Sequence, residues 1–230
     1  KGTLLGSIPI RHLLNMSSGV DVVHERDPYR IDRPALLALG PTSVGRVVIC
    51  WKEKKEEPGI RFNYTELCPL TLGMVIRHAT QKSLAQFTQQ HLWQPMGAEN
   101  EALWQLDHND DGIEKAYCCI ASNARDFARF GKLYLNNGNW KGKQILDSVF
   151  IKKCITPRFA ESPQYGYGWW LHTVKGKYLY YMRGHLGQFV IVVPQDNLII
   201  VRLGHLKGLQ TETDPHSNDL YVYASFHASV

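Results

Sequence analysis

No apolar run in these 230 residues approaches the roughly twenty needed to cross a bilayer as a helix. No secretory leader stands at the front, and Lys1-Gly2-Thr3 does not read as a natural start, so residues upstream are expected. Charge of one sign is scarce: 26 Lys and Arg against 21 Asp and Glu leave a net charge of +5. The basic residues form no stripe, so nucleic acid is not an expected partner. The one dense charge run, Lys52-Glu53-Lys54-Lys55-Glu56-Glu57, mixes both signs and reads as a solvated loop. The five cysteines (Cys50, Cys68, Cys118, Cys119, Cys154) are odd in number and hold no CxxC. That is the pattern of neither a disulfide framework nor a structural zinc site, and it reads as buried free thiols. Ten histidines contain no HExxH or other ligand spacing, so no metal is expected. The stretch from Asp107 to Gly112 begins like a calcium loop, but Cys118 stands where the bidentate glutamate belongs, so a turn is expected. No glycine-rich phosphate loop follows a strand, and no cofactor is expected. Internal repeats and low-complexity tracts are absent.

What is present is an ordinary globular composition, 44% hydrophobic and 20% charged, long enough for one large domain or two lobes sharing a core. Pro9 to Met16 suits a short helix with proline in its first turn, stopped by Ser17-Ser18-Gly19. Residues 20–46 read as a loop-rich excursion. Apolar positions Leu67, Leu70, Leu72, Val75 and Ile76 predict a helix over 67–80, and Ser83 or a neighbour caps a second one over 83–93. Asn123-Ala124-Arg125-Asp126 resembles a capping box with Asp in place of Glu, opening a helix that Asn137-Gly138 closes. Residues 144–153 read as a further short helix. Four aromatic or β-branched runs follow: Tyr165 to Leu171, Tyr178 to Met182, Phe189 to Val193 and Leu198 to Leu203. Turns at Lys175-Gly176 and Pro194 to Asn197 separate them, which predicts an antiparallel meander. Residues 216–228 read as a closing amphipathic helix. The expected class is α+β, mainly helical over 1–164, with sheet strands and the closing helix over 165–230.

Six stretches, taken in order, carry a family resemblance. They are IPIRHLLNMSSG (8–19), EPGIRFNYTE (57–66), LWQPMGAENEALWQLD (92–107), ASNARDFARFGKLYLNNGNWKGKQIL (121–146), YGYGWWL (165–171) and RGHLGQFVIVVPQDNLIIVRLG (183–204). Together they resemble the superfamily of serine β-lactamases, penicillin-binding proteins and family VIII esterases, above all its β-lactamase-related serine hydrolases. The resemblance covers nearly the whole chain. It implies a β-lactamase/transpeptidase-like fold, a helical lobe plus an antiparallel sheet with a C-terminal helix. It also implies acyl transfer from a serine in a Ser-x-x-Lys motif, assisted by a tyrosine in Tyr-x-Asn or Tyr-x-Ser and by a Lys-Thr-Gly or His-x-Gly segment beside the site. A hydroxyl attacks a carbonyl well only when a neighbouring base takes its proton, and backbone N–H groups must hold the developing oxyanion.

On that resemblance Tyr64 takes the place of the catalytic tyrosine, and Pro58-Gly59 and Phe62 fix the loop presenting its phenol. Glu66 stands where most relatives carry Asn or Ser. It can pair with the motif's lysine, mark a degenerate site, or be a solvated glutamate favoured by the helix dipole. His185-Leu186-Gly187 falls on the third motif. There His185 would move a proton near the leaving group, Gly187 would let a substrate backbone approach, and the Gln188 N–H would be an oxyanion donor. Trp169 and Trp170 read as core or pocket wall. No Ser-x-x-Lys occurs. Ser43-Val44-Gly45-Arg46 comes nearest, yet arginine does not deprotonate, so Ser43 is not assigned. The resemblance implies that the nucleophile, an opening helix and two strands lie upstream of Lys1, so the N-terminal part of the fold is missing. The sheet would then be completed by that segment or by a second chain. It also implies a periplasmic or extracellular location and a small-molecule or peptide carbonyl substrate. Two function classes stay open: a serine hydrolase, and a non-catalytic relative that binds peptide or cell-wall-like ligands.

Overall fold

The computed structural model describes residues 2–21, 43–109, 111–160 and 162–205. The expected closing helix over 216–228 and most of the 20–46 excursion lie outside them. The chain divides into two compact units, one of residues 1–92 and 102–121, the other of residues 93–101 and 122–230.

In the first unit, helix α1 (Ile10–Leu14) is shorter than its sequence signal, with Pro9 at the N-cap and Met16 turning the chain at φ +57°. Helix α2 (Val44–Cys50) corrects the reading of residues 20–46 as loop to their end. Its sequence, VGRVVIC, is poor in helix formers, but the fold supplies what propensity does not. Val44, Gly45 and Val48 are buried, and the Val44 N–H donates to the Asp107 carboxylate at 2.8 Å. Ser43 caps this helix through its Oγ, which is a structural use of the nearest Ser-x-x-Lys-like serine. Helix α3 (Leu67–Thr80) spans the expected residues and buries Leu67, Cys68, Leu70 and Thr71. Helix α4 (Leu84–Thr88) opens with a complete capping box between Ser83 and Gln86, then runs into a π turn over Gln89–Trp93. A two-residue antiparallel pair, β1 (Leu103–Trp104) and β2 (Ile120–Ala121), closes the unit. Residues 107–109 and 111 are bends. The buried Asp107 carboxylate accepts from the Val44 and Ile113 N–H groups, both at 2.8 Å. Cys118 and Cys119 form a disulfide, and Cys50 is exposed, which corrects the reading of five buried thiols; Cys68 and Cys154 are buried and free.

In the second unit, helix α5 (Ala124–Leu135) is capped as expected by Asn123, whose side chain accepts from the Asp126 N–H at 3.0 Å. A short hairpin of β3 (Asn139–Trp140) and β4 (Lys143–Gln144) precedes helix α6 (Ser148–Cys154). This shortens the helix read over 144–153, because Asp147 is the residue whose side chain caps it. Strands β5 (Trp170–Val174), β6 (Lys177–Gly184), β7 (Gln188–Val193) and β8 (Leu198–Arg202) form an antiparallel meander in that order. A two-residue turn with positive φ at Lys175 and Gly176 joins β5 to β6.

Strand β7 is buried almost throughout, so it is covered on both faces and its run from Phe189 to Val193 is apolar without alternation. On one sheet face Leu171, Tyr180 and Val192 pack with Tyr134, Ile151, Cys154 and Trp169. Trp169 meets Tyr180 edge-on at 5.2 Å between ring centroids. Helix α5 approaches this face closely at Gly131, where an added Cβ would lie 3.1 Å from Val190 and 3.2 Å from Ile199. Trp169 and Trp170 are both buried, as core reading expects. Among the described residues no helix is long and apolar enough to cross a membrane.

Candidate functional site

In the first unit, two loops are joined by backbone hydrogen bonds. Gly19 O accepts from the Lys55 (2.9 Å) and Glu56 (3.2 Å) N–H groups; Ser17 O accepts from Gly59 (2.8 Å) and Met16 O from Asn63 (2.7 Å). The segment that ends in Tyr64 is therefore held along its length by the segment after α1. Side chains lock the junction. Gly59 has φ +91°, and a Cβ there would lie 2.5 Å from His12 Cε1, so only glycine fits both the turn and the ring beside it. Arg11 Nε donates to His12 Nε2 at 3.1 Å, leaving Nδ1 to donate to Ser17 Oγ at 3.1 Å. The Asn15 side-chain amide, in the orientation its neighbours require, donates to Ser17 Oγ at 2.6 Å and to Arg11 O at 2.9 Å. Burial, with the Arg11 charge, pushes the His12 pKa below its ordinary value, so the ring stays neutral. Ser17 is fully buried within this network and acts as a structural hydroxyl.

Tyr64 emerges from the clamped loop with 37% of its surface exposed. Thr65 behind it is fully buried, and its Oγ1 accepts from the Leu67 N–H at 3.3 Å, opening α3. Glu66 sits at the N-cap of α3 without a side-chain capping bond. Its charge reaches two neighbours. Burial first, and then Glu66, raises the Cys68 thiol to about 11 against the lowering by its Ser18 hydrogen bonds, and burial, Glu66 and Asp107 raise the Tyr117 phenol to about 12. Tyr117 is a neighbour of Glu66 that motif reasoning did not find. It belongs to no motif, and only the tertiary fold brings the 115–119 segment to α3.

In the second unit, His185-Leu186-Gly187 forms the turn between β6 and β7, with Leu186 at φ +58° and Gly187 at φ +81°. His185 is exposed and Gly187 buried. The turn is tied to the end of β8. Arg202 Nη1 donates to Gly187 O at 2.5 Å, Gln188 Nε2 donates to His185 O at 3.2 Å and also to Gly204 O, and the Gly204 N–H donates to Gln188 Oε1 at 3.0 Å. The Gln188 amide is thus spent on scaffolding, and Gln188 opens β7 opposite Gly184. Tyr64 and Glu66 are brought together at the start of α3; His185, Gly187 and Gln188 share one tethered turn.

A family model described as Beta-lactamase matches residues 3–221. No curated protein matches the sequence. Among solved structures, the chain is similar to a protein from Bacillus anthracis provisionally named 6-aminohexanoate-dimer hydrolase. Identity is 26%, the TM-score 0.78, and the match covers 100% of this chain and 62% of that one. A penicillin-binding protein from Bacillus halodurans matches at 19% identity and TM-score 0.68, over 98% of this chain and 74% of its own. A D-amino acid amidase from Ochrobactrum anthropi SV3, complexed with D-phenylalanine, matches at 21% identity and TM-score 0.57, over 85% and 71%. These last two show a shared fold. The chain spans less than two thirds of the length of the Bacillus anthracis protein.

Proposed function

The chain belongs to the beta-lactamase family, and from that premise we propose that the protein carrying it is a serine hydrolase acting on an ester, amide or β-lactam carbonyl through an acyl-enzyme. The serine oxygen bonds to the carbonyl carbon, its proton passes to the Tyr64 phenolate, the leaving group departs with a proton, and water then releases the acyl group. His185 serves the leaving-group proton. Gly187 gives the substrate backbone close approach, and the Gln188 N–H is a donor to the oxyanion. Residues 1–230 contain no Ser-x-x-Lys, so the serine and its lysine are assigned to the rest of the protein. The Bacillus anthracis protein, which this chain spans to 62%, leaves room for such a segment.

The observation that carries this reading is the clamp of four backbone hydrogen bonds leading into Tyr64. A merely packed tyrosine does not need its loop fixed in this way, whereas a general base must be held within hydrogen-bond reach of the proton it takes. The test is labelling of the protein, with its Ser-x-x-Lys confirmed by sequence, by a fluorophosphonate, together with turnover of a nitrophenyl ester. Absence of labelling sinks the hydrolase reading. In the active protein, Tyr64→Phe should lower turnover by about 10²-fold or more, the scale of lost general-base catalysis; near-normal turnover removes Tyr64 from the mechanism.

A second reading is a non-catalytic binding relative, and Glu66 favours it. Its carboxylate replaces the usual Asn or Ser and has no hydrogen bond or ion pair among the described residues. Binding of a peptide without acylation supports that reading.

A further inference from the structure

Outside the residues assigned above, the second unit carries a groove of about 490 Å³ beside helix α5, within the size range of ligand sites. Arg125, Ala128, Arg129 and Lys132 line it from one face of α5, as spacings of three, four and seven residues require. Lys141, at the tip of the β3–β4 hairpin, also lines it, Trp140 and Ile199 supply apolar wall, and Glu99 is its acidic side chain. The charge is unbalanced. Arg129 is matched by Glu99 and by the buried Asp126. Arg125, Lys132 and Lys141 have no ion pair among the described residues; the Lys132 ammonium lies 6.0 Å from the Trp140 ring centroid. All three are exposed.

We propose that this groove binds an acidic peptide segment, with carboxylates on Arg125, Lys132 and Lys141 and an apolar side chain between them. Three observations select a peptide over a compact anion. The free cations do not converge on one point: Arg125 and Lys132 are seven residues apart, about 10 Å along the helix. That is close to the length of three residues of extended chain, about 10 Å, and the flexible stems of Arg and Lys absorb the difference. Ala128, between the two cations on the helix, lines the same groove as Ile199, which gives an apolar side chain a surface to pack on. The rest of the wall is aliphatic and indole apart from Arg129 and Glu99, which are paired with each other. Because the cations are exposed, each contact is weak and screened, so binding is salt-sensitive and rests on several charges at once.

The test uses the whole chain and a fluorescein-labelled peptide of glutamates around one phenylalanine, followed by anisotropy. Its counterpart carries lysine at every glutamate. Expected results are saturable binding of the acidic peptide only, loss of at least about tenfold in affinity with Arg125→Glu/Lys141→Glu, and weakening between 50 and 500 mM salt. Lys141→Glu alone, on an exposed turn, is the second variant should the pair disturb folding, and it should weaken binding severalfold. No saturable binding, equal binding of both peptides, or unchanged affinity in both variants overturns the proposal. So does displacement by inorganic triphosphate at lower concentration than by unlabelled peptide, which would assign the groove to a small polyanion.

Discussion

Replacing Asp126 by Asn tests how the second unit is held together. The Asp126 side chain is fully buried. Its two oxygens accept from the Glu99 N–H (2.9 Å), the Asn100 N–H (3.0 Å) and Nδ2 (3.2 Å), Asn123 Nδ2 (2.7 Å) and Arg129 Nη1 (2.8 Å). Burial alone would raise this carboxyl, but the Glu99, Asn123 and Asn100 donors hold it from its ordinary 3.8 down to about 2. That gap corresponds to about 2.4 kcal/mol at neutral pH. An asparagine turns an NH₂ group against at least two of these donors, and breaking a buried charge pair costs about 3–5 kcal/mol. Both routes put Asp126→Asn near 3 kcal/mol, or about 6–12 °C in Tm for a chain of this size. Chemical and thermal unfolding measure it. Because the carboxyl is held below its unfolded value, its stabilisation is full above about pH 4 and is lost as pH falls toward 2. Wild type and variant should therefore differ fully at pH 6–8 and converge below pH 4. A difference under about 0.5 kcal/mol, the scale of an ordinary surface substitution, or one unchanged between pH 7 and pH 3, refutes the account.

Two further outcomes follow from the first unit. Gly59→Ala should destabilise the chain by about 2–4 kcal/mol, from a left-handed backbone bearing a Cβ and from its overlap with the His12 ring; an unchanged unfolding midpoint would contradict the clamp. The neutral His12 takes up protons more readily once unfolded, because its folded pKa is lowered by burial and by Arg11. Stability should therefore fall as pH drops through 6.5 toward that lower value, and His12→Gln should lose this pH dependence; equal slopes in both proteins would remove His12 as its source.

Legibility in the sequence followed the range of the forces involved. Helix α3 was readable because Leu67 and Leu70 repeat on one face, and the α4 cap because Ser83 and Gln86 interact within one turn. Strands β6 to β8 were readable from β-branched and aromatic runs. The strand expected from Tyr165 instead pairs continuously only from Trp170. Gly168 takes φ +79°, and Gly166 lies where a Cβ would meet Cys154 O at 1.9 Å, so the aromatic run packs without extending. The β3–β4 hairpin was missed because two-residue polar strands have no period. The capping box at Asn123 was half legible: the cap forms, but the Asp126 carboxylate reaches to Glu99 and Asn100 instead of back to the Asn123 N–H. The Cys118–Cys119 bridge was invisible to an argument from cysteine parity and spacing, which reads long closed loops and not adjacent residues.

The two segments that bear the candidate site residues are turns whose backbone is bonded elsewhere. The Tyr64 loop is held by Met16, Ser17 and Gly19, and the His185–Gly187 turn by Arg202 and Gly204. Loops are ordinarily the mobile part of a fold, and a catalytic side chain misplaced by about 1 Å loses much of its rate advantage. Bonding the main-chain oxygens of Met16, Ser17 and Gly19, and of His185 and Gly187, resolves that conflict, because it fixes the backbone of each turn. This explains why Ser17, Gly19, Gly59 and Gly187 belong to the motifs as much as the candidate site residues do. It also separates two consequences of substitution. Changes at the tethers should lower stability and activity together, whereas Tyr64→Phe, which keeps the ring and removes only the hydroxyl, should lower activity far more than stability if the phenol is the base, and measuring both on the same variants distinguishes a scaffold role from a chemical one.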